Sequence, residues 1–323
     1  MKRDKNILLQ AKDYIIKNPL ILIVVVIAVV TGAIQPRFLS AFNIVTILRQ
    51  ASLLGILSVS MTFVIVSGGI DLSVGSLMGL TSVVVATLYK HEGVNIWVGV
   101  VIGLCVGAFS GFIIGTLINR LKVPPFLATL AFLGALRGID LVITDSQPIN
   151  GFPENFLWLG RGLVLRFPVP GIIWIVLVIA AAIFQRYHSY GRYVYAVGGN
   201  TEAAKYSGIN AAKIILITYI LNGLLASLSG ILYTARLDSG QPMLGHTYEL
   251  LAIAAVCSGG TSLMGGRGTV FGSAVGAVLV AMLYNAMSLL GLSTFLQEIA
   301  VGIILIAAVS ITVSRTSRKM SLA

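Results

Sequence analysis

Charged side chains are scarce in this sequence. Of its 323 residues, only 10% are Asp, Glu, Lys or Arg, while 57% are apolar or aromatic, and the mean hydropathy is +0.96. A soluble domain carries about 25% charged residues. The shortage of charge excludes a soluble globular enzyme and a disordered chain, and it predicts a protein that lies in a lipid bilayer.

Residues that support catalysis or bind metals are also few. The chain has three histidines, which fall on separate predicted loops, and two cysteines. It lacks the phosphate-binding pattern GxxxxGKS/T, the zinc pattern HExxH and the nucleophile pattern GxSxG. Cys105 and Cys257 lie in apolar runs, which predicts buried thiols without a disulfide. We therefore expect no catalytic residue, no metal site and no cofactor in this chain.

Basic residues outnumber acidic ones by 22 to 11, which gives a net charge of +11. In a soluble protein this excess would suggest a nucleic-acid partner. Here the basic residues lie between apolar runs, so they indicate how the chain is oriented in the membrane. We expect no nucleic acid among its partners.

Long apolar runs dominate what is present. A helix crosses a bilayer with about 20 mostly apolar residues, and about ten runs approach this length. The predicted fold class is all-α, a polytopic membrane protein that forms a single transmembrane domain over residues 1–323. The eighth run is short, which suggests a half-helix or a re-entrant segment. The predicted spans are 19–35, 45–66, 72–89, 96–118, 125–144, 169–185, 213–235, 249–263, 268–290 and 295–313.

Lys and Arg are distributed unevenly between the two sides of this arrangement. If successive spans alternate in direction, 15 of the 22 fall on the side of the N-terminus, including Lys2, Arg3 and Lys5. Cytoplasmic loops are the ones that carry an excess of Lys and Arg. Both termini are therefore predicted to be cytoplasmic, with the loop at about 186–212 on the same side and the loop at about 145–168 outside.

Glycine recurs every four residues in the fourth and ninth predicted spans, and an offset of 169 residues superposes the two rows. The two spans cross in opposite directions, which suggests an inverted-topology repeat. Close packing of helix backbones is the alternative interpretation, because small residues at this spacing allow it. The superposed glycines are Gly99, Gly103 and Gly107 in one span and Gly268, Gly272 and Gly276 in the other.

A polar stretch from Ser67 to Ser76 interrupts the apolar run between Leu53 and Val85, with Asp71 near its centre. One interpretation is a helix break whose backbone lines a polar path. The other is a tight turn in which Asp71 caps the next helix, and both can hold together. The candidate residues for a translocation pathway are Ser67, Gly68, Gly69, Asp71 and Ser73.

Ionisable residues inside the spans are few. Arg137 and Asp140 lie three residues apart on the fifth predicted span, so their side chains can face each other. We interpret them as a structural ion pair rather than a proton relay. Asp71, Asp140 and Glu298 are a small set of acids for a carrier driven by an ion gradient, although such a secondary carrier remains an alternative.

The predicted cytoplasmic loop contains a short helix pattern. Asn200 or Thr201 can cap its start, Glu202 suits the first turn, and Gly208 can end it. The intervening alanines favour a helix and leave a small, flat face. Such a two-turn helix can lie in a groove on a partner. A connector helix lying on the membrane is the alternative.

This loop resembles the Glu-Ala-Ala coupling motif of ABC importer permeases, through Glu202–Ala204 and Gly208–Asn210. The stretch Ser67–Ser76 is similar to the signature of the ribose-type monosaccharide permeases, within the binding-protein-dependent transport system inner membrane component family. Cys257 and Asp238–Gly240 depart from the pattern of that family. Further similar stretches are Phe126–Leu130, Arg137-Gly138, Tyr248–Leu250, Ile253–Ala255, Gly259–Leu263 and Gly265–Gly268.

The resemblance implies a permease subunit of the bacterial inner membrane that works as a pair, as a homodimer or a heterodimer. A cytoplasmic ATPase dimer, holding ATP and Mg, would contact the short helix, and an extracytoplasmic binding protein would deliver a sugar to the outer face. The implied coupling residues are Thr201, Glu202, Ala203, Ala204, Lys205, Gly208, Ile209 and Asn210. The candidate docking residues for the binding protein are Arg37, Arg161, Arg166 and Arg236.

Three other functions remain open at this stage. A permease of the same superfamily could carry branched-chain amino acids or nucleosides. A secondary carrier would use an ion gradient and need no ATPase. A membrane-embedded enzyme would need a convergent polar cluster, which the sequence does not offer.

Overall fold

A computed structural model describes residues 19–300 together with 302, 303 and 306. The N-terminal basic residues Lys2, Arg3 and Lys5 lie outside the described residues. The predicted last span, 295–313, is described up to residue 300, and most of its remainder is not. The described chain is mostly helical with little sheet, which confirms the predicted all-α class at the level of secondary structure.

The helices follow one another with short connections. In chain order they are α1 (Pro19–Ile34), a 3-10 turn (Pro36–Leu39), α2 (Ala41–Val66), α3 (Val74–Lys90), α4 (Ile96–Arg120), α5 (Pro125–Thr144), α6 (Glu154–Arg161), α7 (Val169–Tyr187), α8 (Ser189–Gly199), α9 (Thr201–Tyr206), α10 (Ala211–Leu237), α11 (Tyr248–Ser258) and α12 (Val270–Leu289). Residues 294–300 are also helical.

Each predicted span from the first to the ninth coincides with one of these helices. Six of them, α2, α4, α5, α7, α10 and α12, are long and apolar enough to cross a membrane. The helices at the first, third and eighth predicted spans are shorter, and α11 has only 11 residues. The eighth predicted span therefore contains a half-length helix, as its short apolar run suggested.

The two long connections carry structure of their own. The predicted outside loop, 145–168, contains α6 and the antiparallel hairpin of β2 (Leu163–Val164) with β3 (Phe167–Pro168). In the same loop, β1 (Ile149–Asn150) pairs with β4 (Ser239–Gly240), which follows α10. The predicted cytoplasmic loop, 186–212, contains α8 and α9.

Helix α10 lies at the centre of the fold, and its small residues let its neighbours come close. A Cβ at Gly107 or Gly111 of α4 would collide with Ser227 and Gly223 or with the Tyr219 backbone of α10. In the same way, Gly272 and Gly276 of α12 face Gly259 and the Ala255 carbonyl at the end of α11. Close packing therefore accounts for both glycine rows, and the inverted repeat stays a prediction.

Hydroxyl groups join the helices inside the core. Thr81 of α3 bonds Ser227 of α10 at 2.7 Å, and Thr62 of α2 bonds Ser273 of α12 at 2.7 Å. Such bonds are an important source of helix association in lipid, where apolar contacts give little net gain. One prediction needs correction here, because Cys257 is buried as expected while Cys105 is exposed on the outer surface of α4.

Candidate functional site

The short helix α9 begins as its sequence predicted. The Asn200 side chain accepts a hydrogen bond from the Ala203 backbone N–H at 2.9 Å, so Asn200 rather than Thr201 is the cap. The Thr201 hydroxyl instead bonds the Val197 carbonyl at 2.8 Å in the last turn of α8. The two helices are therefore tied together at their junction.

The end of α9 is a Schellman turn. The Ile209 N–H donates to the Ala204 carbonyl and the Gly208 N–H to the Lys205 carbonyl, with Gly208 at φ 80°. This left-handed backbone favours glycine over any residue with a Cβ. The Asn210 side chain then accepts from the Lys213 N–H at 3.0 Å and caps α10. The predicted boundary at Gly208 is confirmed.

One face of α9 points away from the protein. Glu202, Ala203 and Lys205 are exposed, and Tyr206 is 90% exposed, while Ala204 is buried against α8 and α10. Lys205 bonds Glu202 at 2.7 Å, and this bond and the Lys205 charge lower the pKa of the Glu202 carboxyl. Water screens an exposed pair of this kind, so it stabilises the helix little. The Glu202 carboxylate and the Lys205 ammonium group therefore stay available to a partner protein.

Behind α9, three segments of the chain meet at a point that we name the glycine junction: Val66, Gly68, Gly198, Gly265 and Gly266. The Gly266 N–H donates to the Val66 carbonyl at 2.9 Å. A Cβ at Gly198 would collide with that same carbonyl, and one at Gly265 would lie 3.1 Å from the Gly68 Cα. The end of α2, the end of α8 and the loop before α12 are therefore in backbone contact.

A tyrosine reinforces this contact. The Tyr195 hydroxyl of α8 donates to the Gly268 carbonyl, and burial raises the pKa of that hydroxyl, which keeps it protonated as a donor. Sequence reasoning identified the three segments as separate motifs but did not predict that they meet. No local signal in the sequence reports such tertiary contacts.

The predicted helix break lies next to the glycine junction. Helix α2 ends at Val66 and α3 begins at Val74, with Gly68 at φ 87° between them. Asp71 is 2% exposed; one carboxylate oxygen accepts from the Ser73 N–H at 2.8 Å and the Ser73 hydroxyl at 2.6 Å. Ser73, not Asp71, holds the N-cap position of α3. Asp71 supports that turn from two residues earlier.

A residue that sequence reasoning missed completes this cluster. The Asn222 amide of α10 donates to the other Asp71 oxygen at 2.7 Å. Nearby, the Tyr219 hydroxyl donates to the Ile70 carbonyl at 3.3 Å. These two bonds join α10 to the helix break. Because α10 directly follows α9 in the chain, they also connect α9 to the break. The rule that polar residues inside a span are expensive could have identified Asn222.

The pathway candidates differ in exposure within the single chain. Ser67, Gly69, Asp71 and Ser73 are buried, and Gly68 is exposed. The buried side chains hold the break in shape, and contact between any of them and a transported molecule stays a prediction.

The candidate docking arginines fall into separate places. Arg161 of α6 donates to the Arg236 carbonyl at 2.9 Å, and Arg49 of α2 donates to the Arg161 carbonyl at 2.6 Å. Two candidates are therefore brought together, with Arg49 as a third cation that sequence reasoning missed. Arg166 lies at the tip of the β2–β3 hairpin, beside Leu165, which is 98% exposed. Arg37 is exposed on the 3-10 turn after α1.

Comparisons with known proteins cover nearly the whole chain. The profile of the family described as branched-chain amino acid transport system / permease component matches residues 43–309. The chain is similar to the ribose import permease protein RbsC of Haemophilus influenzae, at 40% identity over 96% of this chain and 97% of that protein. It is similar to the RbsC of Escherichia coli K12 at 45% identity, over 91% and 92%.

Similarity extends to a permease named for another sugar. The xylose transport system permease protein XylH of Haemophilus influenzae is 35% identical over 93% of this chain and 96% of that protein. No solved structure matches the chain.

Proposed function

The chain belongs to the family of branched-chain amino acid transport system permease components, and on that premise we propose that it is the membrane-spanning permease subunit of an ATP-driven sugar importer. The observation that carries this proposal is the 40–45% identity to ribose import permeases along more than nine-tenths of each chain. The family description is broader than sugars, but the named relatives at this identity support a ribose-type monosaccharide over a branched-chain amino acid or a nucleoside.

The proposed subunit lies in the bacterial cytoplasmic membrane as one domain, residues 1–323. We propose about ten membrane crossings, with both termini in the cytoplasm. A helical crossing needs about 20 residues. The six long helices support a multi-pass protein. The uneven distribution of Lys and Arg supports the orientation, which puts α8 and α9 in the cytoplasm and α6 outside.

The exposed face of α9 is the proposed contact for a cytoplasmic ATPase, which would bind ATP and Mg itself. ATP-driven movement of the ATPase pair would act on Glu202, Ala203 and Lys205. The contact of Gly198 in α8 with the Val66 carbonyl and the bond of Asn222 in α10 to Asp71 support transmission from α9 towards the interior. Two permease chains, identical or related, would then alternate between outward- and inward-open states, and the sugar would pass without tight binding.

On the opposite side, an extracytoplasmic binding protein would deliver the sugar. The cluster of Arg49, Arg161 and Arg236 supports contact with acidic groups on such a protein, because cations grouped on one surface attract an anionic partner and speed its association. Arg166 and Arg37 remain individual candidates. Specificity among sugars would lie largely in the binding protein.

Purification from native membranes tests this function. The tagged chain, extracted in mild detergent, should carry an ATPase subunit in equal amount, and vesicles should take up ribose only with ATP. A known ABC importer purified in parallel controls for loss of the ATPase in detergent. If that importer keeps its ATPase while this chain comes alone, and uptake stops with an uncoupler, the chain is a secondary carrier instead.

A charge reversal tests the coupling role of α9. Glu202→Arg places two cations side by side on the exposed face and should lower the recovered ATPase and the uptake about tenfold, the effect of about 1.4 kcal/mol at an interface. Glu92→Arg, on an exposed loop predicted to lie on the opposite side, is the matched control. Equal uptake by both variants would exclude α9 as the coupling contact.

A further inference from the structure

The half-length helix α11 is preceded by an irregular segment of turns that runs along α3. Gly240 lies against Ala86 of α3, and Gly245 lies against Gly75 in the first turn of the same helix. Ala86 and Gly75 are 11 residues apart, or about 16 Å along a helix axis. Between Gly240 and α11 the backbone forms a series of turns, in which the Leu244, His246 and Tyr248 N–H groups donate to the Gln241, Met243 and Gly245 carbonyls. The contacts at Gly240 and Gly245 show that this segment runs antiparallel to α3.

We take the segment and α11 together as one crossing. The segment starts at Gly240, which pairs with Ile149 of the 145–168 loop. Helix α11 adds 11 residues, about 16 Å, and leads to the loop that contacts Val66 at the glycine junction. The total of about 32 Å matches the hydrocarbon core of a bilayer, about 30 Å thick. Residues 243–249 therefore lie near the middle of the membrane.

An ion pair holds the segment at this depth. The Arg137 guanidinium of α5 donates to the Pro242 and Leu244 carbonyls. Its other contact is the Asp140 carboxylate, fully buried at 3.8 Å, as the sequence predicted. A Cβ at Gly79 would press on this pair at 2.6 Å from the Asp140 oxygen. The ion pair therefore packs between α3 and α5, and its Arg137 side chain binds the irregular backbone of the segment.

The opposite side of the segment is uncovered by the described part of the chain. Met243 and His246 are exposed, and Thr247 and Glu249 are half-buried. One Glu249 carboxylate oxygen lies on the α3 side, buried beside Gly75, and has no hydrogen-bond partner among the described residues. Lipid cannot satisfy irregular backbone or an imidazole at this depth; such segments are tolerated only inside protein or along a water-filled cavity. This face therefore does not adjoin hydrocarbon.

We infer that residues Met243 to Glu249 form a wall of the water-filled translocation path, where His246 and Glu249 meet the hydroxyl groups of the passing sugar. The sugar as ligand rests on the proposed function. An imidazole and a carboxylate offer both donors and acceptors to a neutral polyhydroxylated molecule. Two such contacts, exchanged against water, hold it weakly, as passage requires. Sequence reasoning missed this face because its residues belong to no apolar run.

Thiol accessibility tests this inference. In a parent with Cys105→Ala and Cys257→Ala, the variants His246→Cys and Phe109→Cys are treated with a membrane-impermeant maleimide from either side. Phe109 is the matched control, because it is 63% exposed near the middle of α4, where it would face lipid. The reactive form is the thiolate, which needs water. His246→Cys should react at least about tenfold faster than Phe109→Cys, and ribose should slow it.

The inference is overturned if His246→Cys reacts no faster than Phe109→Cys while Leu165→Cys, at an exposed hairpin tip, reacts fully. Spontaneous disulfides between two His246→Cys copies, without labelling, would likewise overturn it, since a second permease chain would then cover the face. If His246→Cys fails to insert, Met243→Cys takes its place. Ribose uptake by the parent tests the proposed function separately, because labelling needs no transport.

Discussion

At the scale of single residues, the hydrogen bonds that Asp71 accepts within the described part of the chain all come from neutral donors. Among its hydrogen bonds, those from Ser73 are local, whereas the one from Asn222 joins two helices. Removal of a donor from a buried carboxylate leaves a desolvated group unpaired, which costs about 1–3 kcal/mol, while removal of both partners costs less. Substitutions at Asp71 and Asn222 therefore test whether the bond between them stabilises the helix break.

Asn222→Leu should destabilise the protein by about 2 kcal/mol, and Asp71→Leu combined with Asn222→Leu should recover part of that loss. Thermal unfolding in detergent measures both. Asn119→Leu is the control, because the Asn119 amide also joins two helices, through the Ala212 carbonyl of α10, but is not buried. It should change stability little. A double variant less stable than Asn222→Leu would contradict the idea that the Asn222 bond holds the break, because the bonds of Ser73 to Asp71 would then contribute more.

At the scale of secondary-structure elements, α8 contains two adjacent glycines with different surroundings. A Cβ at Gly198 would collide with the Val66 carbonyl, whereas no described residue lies within 4 Å of the Cβ position at Gly199. Alanine favours a helix over glycine by about 1 kcal/mol. Steric conflict should outweigh this gain at Gly198 but not at Gly199. Alanine substitutions at the two positions therefore separate the effect of the backbone contact on stability from the effect of helix propensity.

Gly198→Ala should lower thermal stability and abolish most uptake, because α8 must move away from the end of α2 at the glycine junction. Gly199→Ala should keep full uptake and a melting temperature at or above that of the parent. The comparison uses detergent-purified protein for unfolding and vesicles for transport. Equal behaviour of the two variants would mean that the contact at Val66 is not required.

The sequence predicts the apolar helices well, because a run of about 20 apolar residues has few alternatives in a bilayer. It also predicts the boundaries of α9, because Asn200 and Gly208 act through local backbone geometry. It could not predict the segment of turns that precedes α11 and runs along α3, since Pro242 and Gly245 look like ordinary loop residues. The glycine junction and the Asp71–Asn222 bond depend on distant contacts for the same reason.

At the scale of the whole molecule, the orientation of the chain in the membrane decides whether α9 and the arginine cluster can each meet the proposed partner. The glycine junction and α9 lie at one end of the helices, and the arginine cluster and the β2–β3 hairpin at the other, as the contacts of Val66 and of Arg49 at opposite ends of α2 indicate. An importer needs the first end in the cytoplasm and the second outside. The excess of Lys and Arg near α8 and α9 favours this orientation.

Two nearly fully exposed residues allow a direct measurement of sidedness. Leu165 and Tyr206 are 98% and 90% exposed, so cysteines placed there should react equally with an impermeant thiol reagent wherever it has access. In intact cells Leu165→Cys should be modified and Tyr206→Cys should not, and permeabilisation should equalise them. Modification of Tyr206→Cys from outside would place α9 beyond the reach of a cytoplasmic ATPase. The proposed coupling role would then be lost, even though every contact within the chain remained as described.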